Sequence, residues 1–309
     1  MSLYRPDRPE AVLQPKDLGQ ILDQTFRTFG RYWRPLVAVG LLVGLPGLIL
    51  ALLQISLMPG LMADPTDHPL VLAATAAEMG DFTPLFSVLG VFFGMSVGGL
   101  LLYPLFQGAL IDVAARAVLH MEPVPLGETF RVAAGRYWPM LGVFALLILV
   151  WIVALPVLIL AGLVVLAPIT LLVGYVALLV LSIFSTHAVV VEQLGPIAAI
   201  RRSFKLAWSR FWPLLGTGIV FSLMTGVLSM IIIGPVSFAA AITTALTASF
   251  IPTAVSSLLQ WAVTSIIVPF TMVGLTLVYF DTRVRREGYD LELMVAAQAA
   301  ASAPADYQP

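Results

Sequence analysis

His68 stands in a short run that also holds Asp64, Asp67 and Glu78. Carboxylate oxygens gathered this way could bind a divalent cation. The run lacks the fixed ligand spacing of an EF-hand loop, so it reads as a solvated acidic loop. His187 and Glu192 are the other pair whose types could move a proton. A separation of five turns them to different faces of a helix. The pair reads as a solvated helix end, and Asp112 and Asp281 likewise fall near the cytoplasmic ends of spans. Three His without a clustered set of carboxylates make no metallohydrolase centre. The absence of Cys excludes disulfides, thiolate metal sites and Cys nucleophiles. No Gly-rich phosphate loop precedes a Lys, and no Gly-x-Ser-x-Gly elbow occurs. The sequence therefore predicts no catalytic residue, no metal ligand, no cofactor site and no nucleic-acid partner, and the chain reads as non-enzymatic.

The elements that must position any functional group are membrane spans. The chain is 60% apolar and 11% charged, against roughly 25% charged residues in a soluble domain. All 16 Lys and Arg lie in four stretches, Met1–Arg34, Asp112–Arg136, Glu192–Arg210 and Asp281–Pro309. The apolar runs between them carry none. Asp64, Asp67, Glu78 and Asp81 occupy the one long segment without a base. Short loops rich in Lys and Arg stay on the cytoplasmic side. The polar first 34 residues argue against a cleavable secretory signal, whose apolar region lies near the start.

A span needs about 20 apolar residues and tolerates Pro. Six are expected, at roughly Pro35–Leu57, Pro84–Leu110, Pro139–Gly162, Leu166–Val191, Pro213–Ile233 and Ala254–Phe280. The third and fourth form one run too long for a single crossing, and Gly162 and Pro168 mark the hairpin between them. An even number of spans places both termini in the cytoplasm. The outer loops are then Met58–Thr83, a tight turn near Gly162–Pro168, and Gly234–Thr253.

The stretches ahead of the spans share an order of residues. Phe26-Arg27 … Arg31-Tyr32-Trp33-Arg34-Pro35 aligns with Phe130-Arg131 … Arg136-Tyr137-Trp138-Pro139. Both align with Phe204-Lys205 … Arg210-Phe211-Trp212-Pro213. Pro follows Phe by nine positions in each. The expected fold is therefore an all-α membrane protein of six transmembrane helices in three repeats. Each repeat is an interfacial amphipathic helix followed by a helical hairpin. The repeats cover about 15–120, 121–193 and 194–293, within a membrane domain of 15–293. Residues 1–14 are expected to be flexible, and 294–309 a disordered cytoplasmic tail.

Leu18, Leu22, Phe26, Phe29 and Trp33 recur at helical spacing, while Gln20, Gln24, Arg27, Arg31 and Arg34 take another face. Ile197, Ile200, Phe204, Trp208 and Phe211 oppose Arg202, Lys205 and Ser209 in the same way. Such helices lie in the interface with bases toward the headgroups. Trp33, Trp138 and Trp212 then sit where amphipathic rings collect. Pro35, Pro139 and Pro213 fit the first turn of a new helix. Arg27, Arg31, Arg34, Arg136, Arg201, Arg202, Lys205 and Arg210 are the candidate contacts to anionic lipid headgroups, at about 1 kcal/mol per base.

Gly90, Gly94 and Gly98 form a stripe of small residues, which predicts close packing of the second expected span against another helix. No ionisable group occupies a span interior, which weighs against ion coupling.

The opening Asp17-Leu18-Gly19-Gln20-Ile21-Leu22-Asp23-Gln24-Thr25-Phe26 carries a resemblance, as do the Trp-Pro junctions. Tyr279-Phe280-Asp281-Thr282-Arg283-Val284-Arg285-Arg286-Glu287-Gly288-Tyr289-Asp290-Leu291-Glu292 is its most specific part. Together these resemble the membrane domain of bacterial glycerophosphoryl diester phosphodiesterases, from about Lys16 to Leu293. The resemblance implies an α-helical membrane module of a bacterial inner membrane. It does not carry over the enzymatic name, because no hydrolase barrel follows in this sequence. The expected function is a non-enzymatic module that organises membrane lipids, anionic ones above all, or a membrane or cytoplasmic protein partner. A transporter or channel for a lipid-like or neutral solute is the second reading, favoured by spans that hold Pro.

Overall fold

The computed structural model describes residues 15–63, 75–76, 79–121, 125–164, 167–247 and 251–288. Among them every regular element is a helix. In order these are α1 (Leu18–Ala63), α2 (Thr83–Val118), α3 (Leu126–Gly135), α4 (Tyr137–Val164) and α5 (Ala167–Ser182), then α6 (Ser185–Val191), α7 (Pro196–Trp208), α8 (Phe211–Thr247) and α9 (Ile251–Glu287). Six helical stretches are long and apolar enough to cross a bilayer: Leu18–Ile49, Val97–Val118, Tyr137–Ala154, Val173–Val191, Phe211–Thr247 and Ile251–Glu287. The flanks expected to be flexible or disordered, 1–14 and 294–309, lie outside the described residues.

Three joints interrupt the helices, each three residues ahead of a Pro. Within α1 the joint is Tyr32, at φ −113° and ψ 24°. Between α3 and α4 it is Arg136, at φ −110° and ψ 7°. Between α7 and α8 it is the turn at residues 209–210. The cause is local. A Pro ring clashes with the carbonyl four residues back and offers no N–H to it. For Pro35, Pro139 and Pro213 those carbonyls belong to Arg31, Gly135 and Ser209, so regular helix cannot pass undisturbed. At the third joint the released Ser209 carbonyl accepts a hydrogen bond from Arg286 Nη2 at 3.1 Å. Tyr137 and Phe211 open new helices, which places Pro139 and Pro213 in first turns.

Burial follows the same register. The residue after each Pro, Leu36, Met140 or Leu214, is buried. Seven residues before the joints at Tyr32, Arg136 and Arg210 stand Thr25, Thr129 and Ser203, each fully buried. Thr25 Oγ1 donates to the Ile21 carbonyl at 2.7 Å. Ser203 reaches further. Its Oγ donates to the Leu181 carbonyl at 2.7 Å and accepts from the Phe184 N–H at 3.1 Å. It thereby satisfies backbone groups freed where the chain breaks between α5 and α6.

Two expectations need correction. Gly234-Pro235 was expected to open an outer loop, yet α8 continues through both to Thr247. One Pro removes one helical hydrogen bond, and a long helix can absorb that without ending. The Gly90, Gly94 and Gly98 stripe does not pack closely either. Among the described residues, a Cβ on any of them would meet nothing within 4 Å. Close approach occurs at other glycines. A Cβ on Gly274 would lie 2.3 Å from the Phe221 ring, and one on Gly44 would lie 2.8 Å from the Trp261 indole. One on Gly108 would lie 2.9 Å from Met140 Sδ.

The chain divides into two compact units. One comprises the described residues up to Leu36, Pro104–Ser222 and those from Pro269 onward. The other comprises Val37–Tyr103 and Leu223–Val268. Every Lys and Arg among the described residues belongs to the first unit. Its core is built from α2, α6 and the last third of α9, with Ile111, Leu119, Phe184, Tyr279 and Phe280 fully buried or nearly so. The second unit brings α1 against α9 through the Gly44–Trp261 approach.

Candidate functional site

Many polar groups of the first unit gather at the end of α9, which carries Asp281, Arg283, Arg285, Arg286 and Glu287. Helical spacing pairs Asp281 with Arg285 at 3.0 Å and Arg283 with Glu287 at 3.4 Å. Two networks grow from these pairs. In the first, Arg202 Nε lies 2.8 Å from Glu192, and the same guanidinium donates to Glu287 through Nη2 at 2.6 Å. Tyr279 Oη donates to Glu192 as well. In the second, Asp281 accepts from Arg210 at 2.8 Å, from the Lys16 backbone N–H at 2.8 Å and from Arg285. Arg285 also donates to the Lys16 carbonyl at 2.7 Å. Burial disfavours the charge on Arg202, but the hydrogen bonds to Glu287 and Glu192 outweigh it and hold the group firmly protonated.

His187 is not a solvated helix end. His187 and Asp112 are fully buried, and Asp281 is 7% exposed. His187 Nε2 lies 3.2 Å from Thr276 Oγ1, and its ring packs on that of Tyr279 with centroids 5.4 Å apart. Its Nδ1 has no hydrogen-bond partner among the described residues. Asp112 pairs with Arg116 at 3.1 Å within α2. Tyr279 touches both His187 and Glu192.

The eight headgroup candidates divide in two. Arg202 and Arg210 are committed to the carboxylates just described. Arg27, Arg31, Arg34, Arg201 and Lys205 are exposed, and Arg136 is half-buried. Arg27 pairs with Asp23 one turn away, both on the surface. The guanidinium of Arg31 lies 5.6 Å from the Tyr32 ring centroid, and that of Arg34 lies 5.7 Å from the Trp33 ring. Trp33, Trp138, Trp208 and Trp212 are all at least half exposed.

The chain matches no protein-family model, no curated protein and no solved structure. The site must be read from its own geometry. Two open grooves run along the first segment of α1. One, of about 500 Å³, is lined in part by Lys16, Gln20, Asp23, Gln24, Arg27 and Arg31. The other, of about 560 Å³, is lined in part by Tyr32, Trp33, Arg34, Pro35 and Met121. Arg31 and His120 line both.

His120 follows α2 in the left-handed region at φ 54°. The turn is fixed by the Met121 N–H on the Arg116 carbonyl at 2.9 Å. Partial burial lowers the His120 pKa, and the positive fields of Arg31 and Lys16 lower it further. Burial also lowers that of Lys16, against the pull of Asp281.

Composition did not point to His120 or Tyr279, whose partners lie far away in sequence. The Asp281–Arg285 and Arg283–Glu287 spacings were visible as pairs four apart. The acidic run with His68, namely Asp64, Asp67 and Glu78, lies outside the described residues. Among the described residues no three His, Cys, Asp or Glu stand where they could hold a metal ion.

Proposed function

We propose that this chain is a non-enzymatic integral membrane module that holds anionic lipid, and through it partner proteins, at its basic face. On this reading the face is the cytoplasmic side of a bacterial inner membrane, with both termini there. The module consists of three repeats, each an interfacial helix, a Pro joint and a hairpin. The resemblance to the phosphodiesterase membrane domain agrees with such a module.

One observation carries the proposal. At each Pro joint an exposed Trp stands next to Pro or one residue from it; beside two of them stands a base outside the two ion-pair networks, Arg34 at Trp33 and Arg136 at Trp138, while Arg210 at Trp212 is held by Asp281. Indole rings favour the headgroup level, and bases there attract anionic lipid. The matched burial of Thr25, Thr129 and Ser203, and of Leu36, Met140 and Leu214, supports the threefold repeat. Confinement of the described bases to one unit supports a single basic face.

Lipid analysis of the purified protein tests this. Anionic lipid enriched over the bulk membrane is expected. A retained lipid composition equal to the bulk would contradict it.

A second reading, a path for a neutral or lipid-like solute, draws on one feature of the other unit. A groove of about 350 Å³ is lined by Gly44, Gly47 and Ala51 of α1 and by Ser257, Gln260, Trp261 and Thr264 of α9. Neutral polar groups in an apolar span suit an uncharged cargo. Protein-dependent flux of such a solute into liposomes would favour this reading over the first.

A further inference from the structure

The grooves flanking the first segment of α1 differ in chemistry and meet at Arg31 and His120. On one side stand amides and a carboxylate, Gln20, Gln24 and Asp23, with Arg27 and Lys16 beside them. On the other stand Trp33, Pro35 and Met121, which offer apolar surface, with Tyr32 and Arg34 beside them. The shared wall is cationic. Among the described residues Asp23 is the one carboxylate in the lining of either groove, and it already pairs with Arg27. Arg31 and Lys16 both depress the protonation of His120. Such mutual repulsion is relieved by an anion placed among these groups.

The order of chemistries along the grooves is hydroxyl-binding, anion-binding, apolar. A glycerophospholipid has the same order along its own length. We propose that the two grooves form one site for an anionic phosphodiester lipid with a hydroxyl-bearing headgroup. The phosphate lies between Arg31 and His120. Arg31 supplies a planar fork of donors suited to phosphate oxygens. The headgroup hydroxyls lie against Gln20, Gln24 and Asp23. The glycerol and first acyl carbons lie over Trp33, Pro35 and Met121. This rests on the reading of the chain as an anionic-lipid module and names the lipid class and one place of binding.

The test uses the full chain in zwitterionic nanodiscs doped with phosphatidylglycerol. The imidazole resonances of ¹³C-labelled histidine report binding. The three histidines are His68, His120 and His187, and His120→Gln assigns the reporting signal. Phosphatidylglycerol is expected to shift the His120 resonance saturably and to raise its titration midpoint, because a bound anion favours the imidazolium. Arg31→Gln should weaken binding about fivefold, while Arg131→Gln, outside both grooves, should not. Gln24→Leu should erase the preference for phosphatidylglycerol over phosphatidic acid, which lacks the headgroup hydroxyls.

No saturable His120 shift, or one indifferent to Arg31→Gln, would overturn the site. An equal response to inorganic phosphate alone would overturn the assignment to lipid. Anionic lipid that still co-purifies in either case would leave the module reading standing without this site. Loss of both would end both.

Discussion

Arg202 on α7 and Glu192 at the end of α6 meet at 2.8 Å, and Glu287 of α9 closes on the same guanidinium. Ten residues separate the first two along the chain, and eighty-five separate Arg202 from Glu287. The contact ties α7 to α9. It also removes Arg202 from the set of bases free to meet headgroups.

Arg202→Gln takes from Glu192 and Glu287 their closest shared cation and leaves them Arg283, at 3.5 and 3.4 Å. Breaking a largely buried pair by removing one partner costs about 3 kcal/mol. The thermal midpoint in detergent is expected to fall clearly. Arg201→Gln, on an exposed neighbour, is expected to change it little. Equal midpoints for the two variants would show that the network adds nothing.

Ser203→Ala removes the hydroxyl that joins the Leu181 carbonyl to the Phe184 N–H. Both backbone groups are then unsatisfied inside the first unit, at about 1–3 kcal/mol. Amide hydrogen exchange at Phe184 is expected to speed up with the loss in stability. Unchanged exchange there would mean that water replaces the hydroxyl.

Glycine positions give a paired test. Gly274→Leu drives side-chain atoms into the buried Phe221 ring, and overpacking costs about 1–3 kcal/mol. Gly94→Leu meets open space. A lower thermal midpoint is expected for the first variant only. A comparable loss for Gly94→Leu would restore the close packing that the Gly stripe suggested.

The six helices long and apolar enough to cross a bilayer were readable because apolar length is a local property of the chain. The joints were readable too, since Pro acts on a carbonyl only four residues away. What stayed hidden depends on partners far apart in sequence. Nothing near His187 announces Thr276, 89 residues on, so the residue read as a solvated end. Nothing near Arg210 announces Asp281, 71 residues on. The glycine stripe misled because spacing says that backbones could approach without saying that a partner is there. The site residues missed, His120 and Tyr279, likewise take their meaning from Arg31 and Glu192.

Orientation is open to direct measurement. Reporter fusions at Asp67 and near Ser249 are expected to read as external, and fusions at Pro123 and Gly195 as internal. An internal signal at Asp67 would contradict the order of six spans.

The most direct measurement counts anionic lipids on the intact protein by native mass spectrometry. The comparison is wild type against a variant with Arg34→Gln, Arg201→Gln and Lys205→Gln together. These three bases are exposed and lie outside the two ion-pair networks, so the fold should be kept. At about 1 kcal/mol per base, their loss should weaken lipid retention by up to about 3 kcal/mol, and salt should weaken it further. The expected result is several anionic lipids on the wild type at low salt, with fewer on the variant and fewer on both at high salt. Identical counts for the two proteins at both salt levels would contradict the account.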